Sequence, residues 1–176
     1  MQSPFRKLVR ISIVLFATVL LCNFFAYYLV NKKSAENEEL ILARSLSGRQ
    51  QTLSQVISKQ AAIITGGLYG EAETRRIKDS LAAALSTFKN QQELLEKKIE
   101  QYKTPLPVHV FKIRILFSYI NPYYNSIESI GQDILQEDSI LFLINKRMYL
   151  QRLIESEAKY LPLMRDITNQ FTVILN

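Results

Sequence analysis

Residues 71–102, EAETRRIKDSLAAALSTFKNQQELLEKKIEQY, place Leu81, Leu85, Phe88, Gln92, Leu95, Ile99 and Tyr102 in alternating steps of three and four. That spacing keeps one face of an α-helix apolar and leaves the rest charged. A strand would need a period of two. The stretch is therefore a long amphipathic helix with a coiled-coil-like seam. Gly66-Gly67-Leu68-Tyr69-Gly70 precedes it, and Thr104-Pro105-Leu106-Pro107 follows. Both are helix breakers.

Working outward, the same rhythm recurs on either side. Before the glycines, Leu42, Leu46, Leu53, Val56 and Ile63 keep steps of three, four and seven, with Arg49 and Gln60 in the intervening seam positions. That predicts a helix from Ser34 to Thr65. Polar seam residues set register in a partly wet bundle, or mark a site between helices.

After the prolines, residues 108–120 form a mainly apolar segment that reads as helix. Its β-branched residues give only a weak strand signal. Asn121-Pro122 fits a cap with Pro at the first helical position, starting a new helix that buries Tyr123, Ile127, Ile130 and Ile134. One helix kinked at Pro122 is the alternative. A last helix starts near Glu137 or Asp138, with Leu150, Ile154, Leu161, Met164, Phe171 and Leu175 on its face and Pro162 as a kink or break. The predicted class is all-α: an N-terminal transmembrane helix followed by an antiparallel four-helix bundle.

The transmembrane helix is read from Ile11 to Val30, ISIVLFATVLLCNFFAYYLV. The run carries no charge and has about the ~20 residues that cross a bilayer core. Tyr27 and Tyr28 suit one interface and Arg10 can snorkel at the other. A cleaved signal peptide would have a shorter apolar core and a small-residue cleavage site. A lipoprotein signal would carry small residues before Cys22, where Leu20 and Leu21 stand. The organisation is then a cytoplasmic N-terminus (1–10), a membrane span (11–30) and an extracytoplasmic helical domain (34–176). Arg6, Lys7 and Arg10 precede the span and Lys32 and Lys33 follow it. This mild bias puts the N-terminus inside the cell and the domain in the periplasm, on a single-pass inner-membrane protein.

Charge adds little else. Taking those five from the 22 basic residues leaves 17 against 16 acidic ones. The basic character sits at the membrane flanks, so no nucleic-acid partner is implied. A lone Cys22 forms no internal disulfide. The sole His109 follows the Pro-rich turn without a metal-ligand set, and no glycine loop of phosphate-binding type is present. Acid pairs such as Glu36/Glu39 and Glu93/Glu96 read as solvated faces. Tyr119, Tyr123 and Tyr124 read as core or interface. No catalytic residue, metal or cofactor is expected, and the chain is read as a non-enzyme.

One segment resists that plain reading: Ser47-Gly48-Arg49-Gln50-Gln51-Thr52-Leu53-Ser54-Gln55, with Lys59 after it. Gly48 inside a helix costs about 1 kcal/mol against Ala, which close helix approach or ligand access would explain. An exposed polar face is the plain alternative. The segment resembles the signature of the N-terminal sensor domain of type IV pili methyl-accepting chemotaxis transducers, a family that includes the nitrate/nitrite sensor kinases. Gly48, Arg49, Gln50, Leu53, Ser54, Gln55 and Lys59 match it, just after the first membrane helix. Pro122-Tyr123-Tyr124, Leu161-Pro162-Leu163-Met164 and Thr168-Asn169 are weaker echoes.

The resemblance implies a membrane-anchored sensor domain for signal transduction, paired as a homodimer through the first extramembrane helix. A small ligand, an anion among the candidates, would bind at Gly48, Arg49, Gln50, Gln51, Ser54 and Gln55, and a signalling protein would be the partner. Gln51 stands where the nitrate-sensing branch has an anion-contacting Arg, and Thr52 where the family has Met. The family's second membrane helix and output module are not in this sequence, which reads as a truncated receptor, a fragment or a stand-alone module. The rival reading is a membrane-tethered helical interaction module without a small ligand.

Overall fold

The computed structural model describes residues 4–67, 69–101, 107–136 and 140–175. Four helices pack against one another: α1 (Pro4–Gly66), α2 (Glu71–Gln101), α3 (Pro107–Leu135) and α4 (Ile140–Leu175). No strand occurs among the described residues. The chain divides into two compact units, Met1–Glu39 and Leu40–Asn176.

In the first unit, α1 is long and apolar enough to cross a membrane. Large apolar side chains from Ile13 to Val30 are exposed on all sides. Thr18 donates its hydroxyl to the Val14 carbonyl at 2.8 Å, so that group is satisfied within the helix.

In the second unit, local chemistry sets the helix ends. Gly67 ends α1 at φ 61°, the left-handed conformation that glycine adopts without a Cβ penalty, and its N–H reaches the Ile64 carbonyl. Glu71 and Glu73 in the first turn of α2 and Lys98 in its last turn oppose the helix dipole. The α2 seam lies as its spacing predicts: Leu81, Leu85, Phe88, Gln92, Leu95 and Ile99 are all buried. Tyr102, the stop at 104–106 and the start at Glu137 or Asp138 lie outside the described residues.

Three expectations are corrected. Asn121-Pro122 does not start a helix, because α3 runs through it, as α4 runs through Pro162. Each proline removes a bond to the carbonyl four residues back. Pro122 with Ser118, and Pro162 with Ala158, are exposed, so water can satisfy those carbonyls. On α4 Met164 and Phe171 are buried as expected, but the rest of the buried line is Leu153, Ser156, Tyr160 and Ile167, while Ile154 is 50% exposed and Leu150, Leu161 and Leu175 are half-buried. A shift of one residue turns a helical face by about 100°.

The same slip occurs on α1. Its buried seam is Leu40, Ala43, Ser47, Gln50, Ser54, Ile57, Ala61 and Ile64, a heptad line one residue away from the expected one. Leu42 is exposed, Leu53, Val56 and Ile63 are half-buried, and only Leu46 of that apolar line is fully covered. In the middle of α1, Ser47, Gln50 and Ser54 face the core between Leu46 and Ile57.

Candidate functional site

The Gly48–Gln55 segment wraps around α1 and does not share one face. Gln50 and Ser54 are buried, Gly48 and Gln51 are half-buried, and Arg49 and Gln55 are exposed. The inward half is bound into the bundle. Gln50 donates through Nε2 to the Phe88 carbonyl at 2.7 Å, and Tyr160 donates its hydroxyl to Gln50 Oε1 at 3.1 Å. Gln50 thus ties α1 to α2 and α4 in a single side chain.

A second set of bonds lies one turn away. Thr168 donates to the Met164 carbonyl and accepts from Gln51 Nε2 at 3.1 Å. Its remaining lone pair can take the Ser47 hydroxyl, 2.8 Å away. Ser47 also lies 2.8 Å from the Arg44 carbonyl, an alternative acceptor. With Ser47 donating to it, Thr168 has spent its one proton and both lone pairs. Ser54 donates to the Gln51 carbonyl at 2.9 Å.

Around Gln50 the bundle is aromatic. Phe88 stacks on Tyr124 with ring centroids 5.0 Å apart and meets Tyr160 at 5.6 Å. Burial pushes the Tyr160 phenol well above its ordinary range, with Tyr124 and then Glu96 adding to the effect. Burial also raises Tyr124, helped by the Glu128 carboxylate. Both remain neutral hydroxyl donors at physiological pH. Two buried polar atoms in this region have no partner among the described residues, Ser58 Oγ and Gln92 Oε1, although Gln92 Nε2 donates to Glu96 at 2.9 Å.

The structure brings Ser47, Gln50 and Gln51 together with Phe88, Tyr160 and Thr168. The first three stood out as part of a small and polar run; Phe88 was read only as an apolar seam residue, Thr168 only as an echo of the resemblance, and Tyr160 was not singled out. Tyr160 and Thr168 sit 110 and 121 residues from what they bond, and no local pattern announces that pairing. Gly48 has nothing within 4 Å of the Cβ it lacks, so close packing inside this chain does not require glycine there.

Other candidates resolve more plainly. His109 belongs to α3 and not to a loop; it is half-buried, with Nδ1 3.0 Å from Gln170 Oε1. No group of three metal-ligating side chains occurs among the described residues. Of the tyrosine patch, Tyr124 is core, Tyr123 lies under Lys159 and Tyr119 is exposed. Compared with known proteins, the chain matches no family model, no curated protein and no solved structure.

Proposed function

We propose that this chain is a membrane-anchored helical sensor domain, with α1 serving both as the anchor and as the pairing helix of a homodimer. In this reading Ile11–Val30 spans the inner membrane with the N-terminus in the cytoplasm, and the four helices form an antiparallel bundle in the periplasm. Bonded pairs fit that order: Gln50 with Phe88 and Gln60 with Ser80 give falling α2 numbers as α1 rises. His109 with Gln170 and Ser126 with Ser156 do the same for α3 and α4.

The observation that carries the proposal is the outward half of the Gly48–Gln55 segment. Arg49 is exposed in line with Leu42, Leu53, Val56, Gln60 and Ile63, a half-covered apolar heptad beside a seam whose polar groups are engaged. Such a stripe suits a second copy of the same helix. Two copies would bring their Arg49 guanidinium groups near one axis, a geometry that attracts an anion. Gly48 would let the helices or a ligand approach. Binding would then shift the helices by small displacements.

The rival is a tethered protein-interaction module. It is favoured by Gln50, Gln51 and Ser54 already spending their side chains on the bundle. Thermal melts of the detergent-solubilised chain against a panel of small anions, with Arg49→Ala beside it, separate the two. A ligand at about 100 times its dissociation constant adds about 2.7 kcal/mol, or roughly 5–10 °C for a domain of this size. A rise that disappears in a folded Arg49→Ala supports the sensor. A folded variant as unresponsive as the parent favours the module.

A further inference from the structure

Away from α1, a groove of about 250 Å³ opens between α3 and α4. Tyr123 and Ser126 line it from α3, and Arg152, Glu155, Ser156 and Lys159 from α4. The α4 residues recur at i, i+3, i+4 and i+7, so they share one helix face. Lys159 holds its ammonium 5.6 Å from the Tyr123 ring centroid, which fixes one cation at the rim.

The floor is unusual for a surface charge ladder. Ser126 Oγ and Ser156 Oγ are 2.8 Å apart, and Ser156 is only 8% exposed. When one hydroxyl donates to the other, the acceptor keeps its own proton. Neither hydroxyl has another acceptor among the described residues. One donor is therefore free to serve a ligand at the base of the groove.

An ordinary solvated face would pair Glu155 with Arg152 or Lys159 along the helix. Here Glu155 instead accepts from Gln151 Nε2 at 2.9 Å, and no ion pair joins it to either cation. Two cations and the Ser126/Ser156 hydroxyl pair thus line one small space, with the Glu155 carboxylate engaged by Gln151 beside them. We infer that the α3–α4 groove binds a small oxyanion, a carboxylate or inorganic phosphate, between Arg152 and Lys159 with Ser126/Ser156 donating from beneath. Its volume lies below the roughly 300–1,000 Å³ of clefts for drug-sized ligands and suits a ligand of few heavy atoms.

The site is separate from Arg49 and does not depend on the sensor reading. The test titrates the full chain in detergent with sodium phosphate and, separately, sodium succinate. Sodium chloride at matched ionic strength is the reference, and the readouts are the thermal midpoint and calorimetric binding. Binding of either anion is expected. Arg152→Gln and Lys159→Gln should each weaken it about tenfold or more, since each removes a charge-assisted bond. Arg147→Gln, the same charge change on another face of α4, should leave it within about twofold. Unliganded midpoints show whether each variant folds. Equal weakening by Arg147→Gln would reduce the effect to general charge and overturn the site. So would no binding of either anion. Binding lost in Arg49→Ala but kept in both groove variants would overturn the groove and return the ligand to α1.

Discussion

The contact between α2 and α3 and the contact between α1 and α4 are built from different materials. The first is held by volume. Leu85 fills the space beside Gly131, where an added Cβ would come within 2.7 Å of Leu85 Cδ2, and Phe88 stacks on Tyr124. The second adds polar pairs to the shared core: Ser47 and Gln51 on Thr168, and Gln50 on Tyr160. Packed apolar surfaces resist any change in separation. Hydrogen bonds between small side chains contribute only about 1 kcal/mol each, and water can replace them. On these terms α1 and α4 should slide past each other at lower cost than α2 and α3.

The comparison breaks first if its apolar side proves soft. Leu85→Ala should lose about 2–5 kcal/mol, because the cavity forms where glycine already leaves no side chain to fill it. A loss below about 1 kcal/mol in denaturant melts would show that this interface relaxes. Next in size is an alkaline limb. Tyr124 and Tyr160 have pKa values raised on folding, so the unfolded chain loses these protons first. Their stabilisation is complete below about pH 10 and falls above it, by up to about 1.4 kcal/mol per pH unit per tyrosine. Tyr160→Phe should flatten that limb in melts taken across this range; an unchanged limb would contradict the burial argument.

On the polar side, Gln50→Leu should cost about 1–3 kcal/mol by stranding the Tyr160 hydroxyl. Combining it with Tyr160→Phe should recover much of the loss, because both partners are then apolar. A double-mutant cycle reads that coupling directly. Simple additivity would mean that the two groups do not depend on each other.

The smallest effects, and the sharpest contrast, are in the glycines. Gly48→Ala meets open space and should stabilise the isolated bundle by up to about 1 kcal/mol. Gly131→Ala meets Leu85, itself fully packed, and should destabilise by about 1–2 kcal/mol once the helix-propensity gain is subtracted. Opposite signs in thermal melts sustain the comparison. A loss for Gly48→Ala that depends on protein concentration would point to a second copy packed there.

The sequence made the helices legible but misjudged the face of α1 and part of the face of α4. In α2 the seam residues are Leu, Phe and Ile, so hydrophobic period and burial coincide. In α1 the expected line of Leu42, Leu53, Val56 and Ile63 is only partly covered, while Ala43, Ser47, Gln50, Ser54 and Ala61 join Leu40, Leu46, Ile57 and Ile64 in the core. Burying Gln50 is tolerable because Phe88 and Tyr160 satisfy it, and those partners come from distant helices. Pro122 misled for a similar reason. A proline reads as a boundary unless its freed carbonyl is known to face water. Of the candidate site, Gln50 and Gln51 turn inward to bonds within the bundle, and direction around the helix separates them from Arg49 and Gln55.

The aromatic cluster has an optical consequence. The chain contains no tryptophan, so its near-ultraviolet circular dichroism belongs mainly to tyrosine. Among the tyrosines described, Tyr124 and Tyr160 are the buried ones, each set against the Phe88 ring. They should dominate that signal, while the far-ultraviolet band reports helix everywhere. Any condition that loosens the centre of the bundle and leaves the helices intact would erase the first band and spare the second. The protein thus carries a built-in gauge of its own core, readable without a label.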